Sequence, residues 1–354
     1  MNKTGRGWSH ASQMKPAAEY DIRYGSGLLK KESSGWPRYL MVSTPTAYRT
    51  AQPYLSKPPA EVAHVAWLDS KHQKEISESL PNDAELVVGL GGGRALDASK
   101  FVALDKDLPL VMVPTIVSTG AIIHGVVAKW EGRKIVGTLD DWPWVDCDHI
   151  LVDDGLILEA PYYLNTAGLG DILCGYAAPA EWRWRAKNGI GTPCDETAIA
   201  DVLSHHEEIT QGFEATLDTA GNLTGKSVRH IMKSVQERDS RWIQRPEASS
   251  GDHDFWLALE EQHNTSYIHG EMVAFSAIII AWHCDEQPEI LTNRLDRCKV
   301  RRRPREVGIS REELRAGLEF APSYMERKDT NTILHHQPIT GARFDQLWEF
   351  LETS

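Results

Sequence analysis

The chain has 354 residues, of which 50 are Asp or Glu and 38 are Lys or Arg, so its net charge is −12. Because nucleic acid is bound by basic surfaces, this acidity argues against nucleic acid as the main partner. The five cysteines are scattered without a CxxC pair, the N-terminus is polar, and the longest apolar run, 272–282, is too short to span a bilayer. We therefore expect a soluble, cytoplasmic protein with reduced thiols and no membrane partner.

The first half of the sequence alternates short apolar runs with helical stretches. The runs end in turn residues and predict strands at 20–27, 38–45, 64–70, 85–93, 108–115 and 149–157. A helix is predicted over 94–104, between two of these strands. Strands that alternate with helices are typical of a parallel sheet covered on both faces, so this half is predicted to be an α/β Rossmann-like domain.

The second half of the sequence is predicted to be all-α. Helical periodicity covers 167–189, 195–217, 224–244, 270–284 and 310–325. Ser310 and Glu313 form a capping-box pattern at the start of the last segment. The change of pattern near residue 160, in a chain too long for one ordinary core, predicts an α/β domain at 1–160 and an α-helical domain at 161–354.

A glycine-rich turn joins the predicted strand at 85–93 to the helix that follows. Gly91, Gly92 and Gly93 would let a pyrophosphate approach the backbone at the positive end of that helix. The spacing is not G-x-G-x-x-G, and a tight turn without a ligand is the alternative. Asp97 and Lys100 could pair with each other in the first turns of the helix or reach a ligand beyond the turn.

Two further segments are candidates for contact with a dinucleotide. Asp69 ends the apolar run at 64–70, where a carboxylate commonly accepts the adenine-ribose hydroxyls and repels a 2′-phosphate, so it favours NAD over NADP. The loop at 114–125 is dense in hydroxyls and small residues, and His124 is its titratable group. This loop could surround a nicotinamide ribose or a substrate; an ordinary polar loop is the alternative.

Three side chains at the predicted starts of helical segments could hold one cation. They are Asp171, His253 and His269. Imidazole and carboxylate suit Zn²⁺, and three protein ligands leave a coordination position open, as in catalytic sites. The alternative is that these histidines are unrelated decoration of surface or core. The pair His205 and His206 is predicted at the surface.

Four ordered motifs between residues 89 and 276 resemble the iron-containing alcohol dehydrogenase and dehydroquinate synthase superfamily. They are GLGGGRALDASK, VPTIVSTGA, AGLGDILCGYAAPAEWRWR and SGDHDFWLALE…HGEMVAFS. Within the superfamily they look most like the glycerol-1-phosphate dehydrogenase branch, and SYMERKDTNTILHH resembles the C-terminal segment of that branch. The resemblance implies a dehydroquinate synthase-like fold, with a Rossmann-like domain followed by a helical one.

The resemblance also implies roles for individual residues. The glycine-rich turn of the family matches Gly91, Gly92 and Gly93, followed by Asp97 and Lys100. The loop that lies along the nicotinamide matches Thr115, Ser118 and Thr119. The metal-binding and catalytic set matches Asp171, His253 and His269. Asp69 is added to the predicted cofactor site because of its position in the sequence and not because of the resemblance. Together these residues form the predicted cofactor and metal sites.

The chain departs from the family pattern at two positions. The residue after Ser-Thr is commonly Asp in the family, near nicotinamide and substrate, and is Gly120 here. Many relatives carry a further histidine four residues after the first metal-binding one, where this chain has Leu257. A missing proton relay would then have to come from His124 or His263. Both departures predict a reshaped substrate pocket.

The sequence therefore predicts a metal-dependent NAD(P)-linked oxidoreductase of the alcohol dehydrogenase kind. Its expected substrate is a secondary alcohol or ketone of a small polyol, a keto sugar or a phosphate of either. NAD is favoured over NADP, one divalent metal is expected with zinc favoured over iron or nickel, and a homo-oligomer is expected. One alternative is a sugar-phosphate cyclase that uses NAD transiently; another is a degenerate relative that only binds nucleotide.

Overall fold

The computed structural model describes residues 17–132, 134–136, 143–242 and 245–354. The strands are β1 Ile22–Gly25, β2 Tyr39–Ser43, β3 Glu61–His64, β4 Leu86–Gly91, β5 Leu110–Pro114, β6 Trp130–Glu131, β7 Lys134–Ile135 and β8 His149–Asp153. The helices are α1 Leu28–Ser33, α2 Pro45–Ala51, α3 Ser70–Ser79, α4 Gly93–Lys106, α5 Asp154–Leu158, α6 Tyr162–Leu173, α7 Ala177–Lys187, α8 Glu196–Glu214, α9 Gly225–Trp242, α10 Asp252–His263, α11 His269–His283, α12 Pro288–Arg297, α13 Pro304–Val307, α14 Arg311–Arg327, α15 Ile333–His336 and α16 Gly341–Thr353.

A six-stranded parallel sheet forms the framework of the first half. Its strand order is β1-β8-β5-β4-β2-β3, and every neighbouring pair is parallel. Three of the four interior strands, β2, β4 and β5, are buried along their whole length. Their continuous apolar runs are typical of strands covered on both faces, and the predicted α/β fold is confirmed.

The order of the strands creates a switch point between β2 and β4. The chain leaves β2 through α2 towards β3 on one side, whereas it leaves β4 through α4 towards β5 on the other side. Ligands of open α/β sheets bind outside the carboxyl ends of the strands at such a point. The glycine-rich turn at 91–93 follows the carboxyl end of β4, so it lies where a dinucleotide would be expected.

The prediction of a strand over 64–70 is wrong about where the strand begins and ends. β3 ends at His64, and Asp69 instead caps α3. Its Oδ1 accepts hydrogen bonds from the backbone N–H groups of Lys71, at 3.0 Å, and His72, at 3.3 Å. An Asp in this position satisfies donors that the first turn of a helix leaves unpaired.

Among the described residues, Thr166–Leu217 and Arg241–Ser354 form one compact unit, and those up to Asn165 form the other together with Asp218–Ser240. The second part of the sequence is mostly helical, as predicted. Ser310 and Glu313 make the capping box at the start of α14. The domains at 1–160 and 161–354 stay a prediction. Among the described residues, no helix is both long and apolar enough to cross a membrane.

Two histidines on α8 are buried, although they were predicted to lie at the surface. His205 and His206 are 5% and 3% exposed, so the prediction of surface positions is wrong. The ring of His205 packs on Trp242, with 4.7 Å between ring centroids. Helical periodicity explains the burial, because His206 follows Val202 by four residues and both face the same side of α8.

Candidate cofactor and metal sites

The glycine-rich turn leaves no room for side chains. Gly91 has a φ of +148°, and a Cβ on it would lie 2.7 Å from the Cβ of Ala95. A Cβ on Gly92 would lie 2.8 Å from Cδ1 of Ile116. Gly92 precedes α4 without a side-chain cap, so the first turn of this helix presents backbone N–H groups at its positive end. Such a turn suits the close approach of a phosphate.

Lys100 is a buried brace of the neighbouring loop. Its side chain is fully buried, and its Nζ donates to Oδ1 of Asp97 at 2.9 Å and to the carbonyl oxygen of Ala121 at 2.7 Å. The pairing of Asp97 with Lys100 that the sequence left open is therefore present. The ammonium group ties α4 to the turn that begins at Gly120.

The loop after β5 is fixed beside the glycine-rich turn. The N–H of Thr115 donates to the carbonyl oxygen of Gly91 at 3.0 Å. The N–H of Val117 donates to Oδ1 of Asn165 at 3.0 Å, and Nδ2 of Asn165 donates in turn to the carbonyl oxygen of Ile157. Thr115 and Ser118 are each 8% exposed. The structure thus brings the predicted loop residues next to the turn, and sequence reasoning missed the buried amide that holds them.

Asp69 is occupied by backbone donors. Besides capping α3, its carboxylate accepts from the N–H of Gly132. These hydrogen bonds, led by that of Gly132, hold the pKa of Asp69 below its usual range. That Asp69 accepts the hydroxyls of the adenine ribose stays a prediction. If it does so, the same carboxylate both caps α3 and binds the cofactor.

Asp171, His253 and His269 come together within the helical unit. Nε2 of His269 lies 3.3 Å from Oδ1 of Asp171, and Nε2 of His253 lies 3.7 Å from the same oxygen. The ligand atoms of all three lie within 4.8 Å of one another. Asp171 is 1% exposed, whereas the rings of both histidines are partly accessible.

These separations fit one cation. Bonds of roughly 2.0–2.2 Å to nitrogen and oxygen give tetrahedral edges of roughly 3.4 Å between ligand atoms. The two measured distances from Asp171, 3.3 and 3.7 Å, lie on either side of that value. One carboxylate and two imidazoles make up three ligands of a four-coordinate site, with one position left for a substrate oxygen or water.

Helix positions explain why these side chains meet. His253 and His269 lie in the first turns of α10 and α11, as predicted. Asp171 lies in the last turn of α6 rather than at a helix start, because this helix begins at Tyr162 and ends at Leu173. The prediction of a helix start was wrong in this respect.

A carboxylate orients the ring of His253. Oδ2 of Asp252 lies 2.9 Å from Nδ1 of His253, and the hydroxyl of Ser250 donates to Oδ1 of Asp252 at 2.6 Å. Partial burial opposes protonation of His253, but the carboxylates of Asp252 and Asp171 outweigh it and raise the pKa of His253. A carboxylate on the far ring nitrogen is the usual support of a metal-binding histidine. The sequence analysis missed this role, although Asp252 directly precedes His253.

Three other aromatic side chains that could be considered for the site have different partners. The ring of Trp256 packs edge-on against His269, with 4.4 Å between centroids, in a contact that sequence reasoning also missed. His263 does not join the ligand set, because its Nδ1 lies 2.8 Å from the hydroxyl of Tyr267 and its Nε2 lies 3.0 Å from the carbonyl oxygen of Glu313. His124 packs near Trp144 in the other unit.

Comparisons with known proteins found similar enzymes. The sequence profile of the iron-containing alcohol dehydrogenases matches residues 41–161. Glycerol-1-phosphate dehydrogenase [NAD(P)+] of Thermoplasma acidophilum is 26% identical over 271 residues, which cover 73% of this chain and 71% of the relative. The enzyme of that name from Saccharolobus islandicus is 26% identical over 286 residues, covering 80% of this chain and 78% of the relative.

A solved structure extends the likeness to the fold. The probable glycerol dehydrogenase of Sinorhizobium meliloti superposes with a TM-score of 0.67 at 19% identity, covering 94% of this chain and 98% of that one. The resemblance inferred from the motifs is thus confirmed, and these similarities indicate an NAD(P)-dependent oxidoreductase of the alcohol dehydrogenase type. Within that class its sequence is similar to glycerol-1-phosphate dehydrogenases.

Proposed function

We propose that the chain catalyses reversible hydride transfer between NAD(P) and a small polyol phosphate of the glycerol-1-phosphate kind, with a divalent cation on Asp171, His253 and His269. The observation that carries the proposal is the meeting of these three side chains around one point. Relatives named glycerol-1-phosphate dehydrogenase support the substrate class. Zinc is favoured because imidazole and carboxylate suit it, while iron uses the same ligands.

The residues of the chain have separate tasks in this reaction. Gly91, Gly92 and Gly93 would hold the pyrophosphate of the cofactor, and the loop at 115–119 would orient its nicotinamide half. Asp171 and the two histidines would hold the cation. When bound, the two groups supply a hydride acceptor and a Lewis acid for the substrate oxygen. The protein contributes position and electrostatic field.

The phosphate of the substrate needs a cationic partner. Arg183 is paired with Glu196 and Glu286, and Arg327 is paired with Glu261. Because these guanidinium groups already bond to carboxylates, they are weaker candidates than their charge alone suggests. Arg185 of α7 donates at 3.5 Å to the carbonyl oxygen of Ser249. Of the two arginines on α7, we favour Arg185 as the partner of the substrate phosphate.

The test combines metal analysis with cofactor turnover. The purified enzyme would be assayed at 340 nm with NAD⁺ and NADP⁺ on glycerol, both enantiomers of glycerol phosphate and their keto forms, after its metal content is measured. We expect one equivalent of metal and stoichiometric conversion of alcohol to ketone. Formation of a cyclised product without net NADH would instead support the cyclase, and a protein without turnover that still binds NAD would support the nucleotide-binding alternative.

Variants locate the activity in the proposed site. His253→Ala and His269→Ala should lose bound metal and at least about a hundredfold of kcat/KM while they keep NAD affinity. His336→Gln is the matched control, because this histidine is exposed on α15 and lies outside the ligand set. Full activity in either site variant would contradict the assignment.

A further inference from the structure

A carboxylate from α9 occupies the space beside Gly120. A Cβ on Gly120 would lie 2.7 Å from Oδ2 of Asp239 and 3.1 Å from Nη2 of Arg238. Asp239 is 7% exposed and its Oδ1 pairs with Nε of Arg238. The absence of a side chain at position 120 therefore allows this ion pair to reach the loop, although it comes from 118 and 119 residues further along the chain.

The ion pair is linked to the glycine-rich turn by direct contacts. A Cβ on Gly93 would lie 3.0 Å from Cγ2 of Thr119, so the loop touches the start of α4. Thr119 precedes Gly120, and Lys100 fixes the next residue by its hydrogen bond to the carbonyl oxygen of Ala121. Contacts within the first unit thus link the turn, the loop and the ion pair in one continuous series.

The strand order indicates which half of a dinucleotide would lie there. With the pyrophosphate at the end of β4, one nucleoside half extends towards β2 and β3 and the other towards β5. Asp69 lies after β3, on the side expected for the adenosine half. The loop at 115–119 follows β5, so the opposite half, with its nicotinamide, would extend towards Gly120 and Asp239.

We propose that the carboxylate of Asp239 lies at the nicotinamide end of the cofactor site and favours the oxidised cofactor over the reduced one. The inference rests on the proposed binding of NAD(P) at Gly91–Gly93. The nicotinamide ring carries a positive charge in NAD⁺ and none in NADH, so a carboxylate that lies nearer to the ring than its arginine partner stabilises the oxidised form over the reduced one. On the side of Gly120, Oδ2 of Asp239 is the nearer group, at 2.7 Å from the position of a Cβ against 3.1 Å for Nη2 of Arg238. Arg238 pairs with that carboxylate and holds it in place.

The test measures the dissociation constants of NAD⁺ and NADH for the holoenzyme by calorimetry and by NADH fluorescence. Asp239→Asn keeps the shape of the side chain and removes its charge. We expect the ratio of Kd for NAD⁺ to Kd for NADH to rise about five- to twentyfold, because the attraction between the carboxylate and the positive nicotinamide ring is lost while the positive charge of Arg238 stays. Glu237→Gln is the control, since it removes the same charge from an exposed residue of the same helix, and it should leave the ratio unchanged.

A second variant changes the loop residue in the contact between Gly120 and Asp239. Gly120→Ala places a methyl group against Oδ2 of Asp239 and should raise the same ratio by displacing the carboxylate. If Asp239→Asn weakens both cofactor forms equally, or neither, Asp239 is only a structural residue and the inference is wrong. If neither form binds the unaltered enzyme, the proposed cofactor site itself fails, which is a different result.

Discussion

The backbones of Gly170 and Gly270 touch where α6 crosses α11. A Cβ on Gly170 would clash with the carbonyl oxygen of Gly270, and a Cβ on Gly270 would clash with that of Ala167. Asp171 and His269 are the chain neighbours of these glycines. The close crossing therefore brings a ligand on each helix to within 3.3 Å of the other.

Gly270→Ala tests this relationship. Because a methyl group must push the helices apart, we expect a loss of about 1–3 kcal/mol in stability and at least a tenfold loss of metal affinity. Thermal unfolding and metal titration of the apoprotein measure the two effects. Gly35→Ala is the control, since the nearest atom to a Cβ there is the carbonyl oxygen of Glu32 at an ordinary 3.8 Å. Unchanged metal affinity in Gly270→Ala would show that the crossing does not set the ligand distance.

Asp252→Asn tests the support of His253. The amide keeps the size of the carboxylate but cannot fix the ring as a charged acceptor, so metal affinity should fall about 10- to 100-fold. Calorimetric titration with Zn²⁺ gives the affinity, and the absorption spectrum of the Co²⁺-loaded protein reports on ligand geometry. Ser250→Ala, which removes only the hydroxyl on the far side of Asp252, should have a smaller effect in the same direction. An unaltered Co²⁺ spectrum in Asp252→Asn would argue that His253 is oriented by other contacts.

Glu181 is predicted to make stability depend on pH. Its carboxylate on α7 is completely buried and accepts from the N–H groups of Gly251 and Ile333, each at 2.8 Å. Burial raises its pKa from 4.5 to about 7. The folded chain thus binds this proton more tightly than the unfolded chain, so the contribution is complete below pH 4.5 and is lost as pH rises through 7.

The difference between the pKa of Glu181 in the unfolded and in the folded chain corresponds to roughly 3 kcal/mol of unfolding free energy. Urea unfolding of the metal-free protein at pH 5 and pH 8 would measure it, with Glu181→Gln expected to flatten the change between the two. Glu326→Gln, at an exposed position, should keep the slope of the unaltered chain. The prediction is wrong if Glu181→Gln and the unaltered chain lose the same stability over this range.

Asp69 has two separable tasks. Asp69→Ala should cost about 1 kcal/mol of stability because α3 loses its cap, whereas Asp69→Asn should keep the cap. If the carboxylate also accepts the adenine ribose, both variants should shift the ratio of kcat/KM for NAD⁺ and NADP⁺ towards NADP⁺. Steady-state kinetics with both cofactors measure this ratio. A cofactor preference that neither variant changes would leave Asp69 with capping alone.

Much of the framework could be predicted because it depends on local sequence. The apolar runs that became β4 and β5 are buried throughout, and such runs predict strands covered on both faces. The strand predicted at 64–70 was wrong beyond His64, where β3 ends, and Asp69 caps α3 instead. The spacing of Val202, His206 and Ile209 is that of one helix face and indicates which side of α8 is buried.

The residues of the candidate sites could likewise be predicted only where they belong to a local sequence motif. Asp171, His253 and His269 could be chosen because each lies in a recognisable short motif. Asn165 and Asp239 could not, because they contact the loop at 117–120 from 48 and 119 residues away, and no periodicity in one sequence reports such a contact. Their importance follows from three-dimensional contacts alone.

The return of Asp218–Ser240 to the first compact unit affects how the protein can be made and dissected. A ribosome that has synthesised the chain only as far as Asn165 has not yet supplied α9, so this unit cannot complete its packing until a long helical insertion has also been translated. An expressed fragment that stops near residue 165 would lack Asp239 and the contacts of its helix. We expect such a fragment to be less stable than the same unit in the whole chain, and co-expression of residues 218–240 as a separate peptide to restore part of that stability.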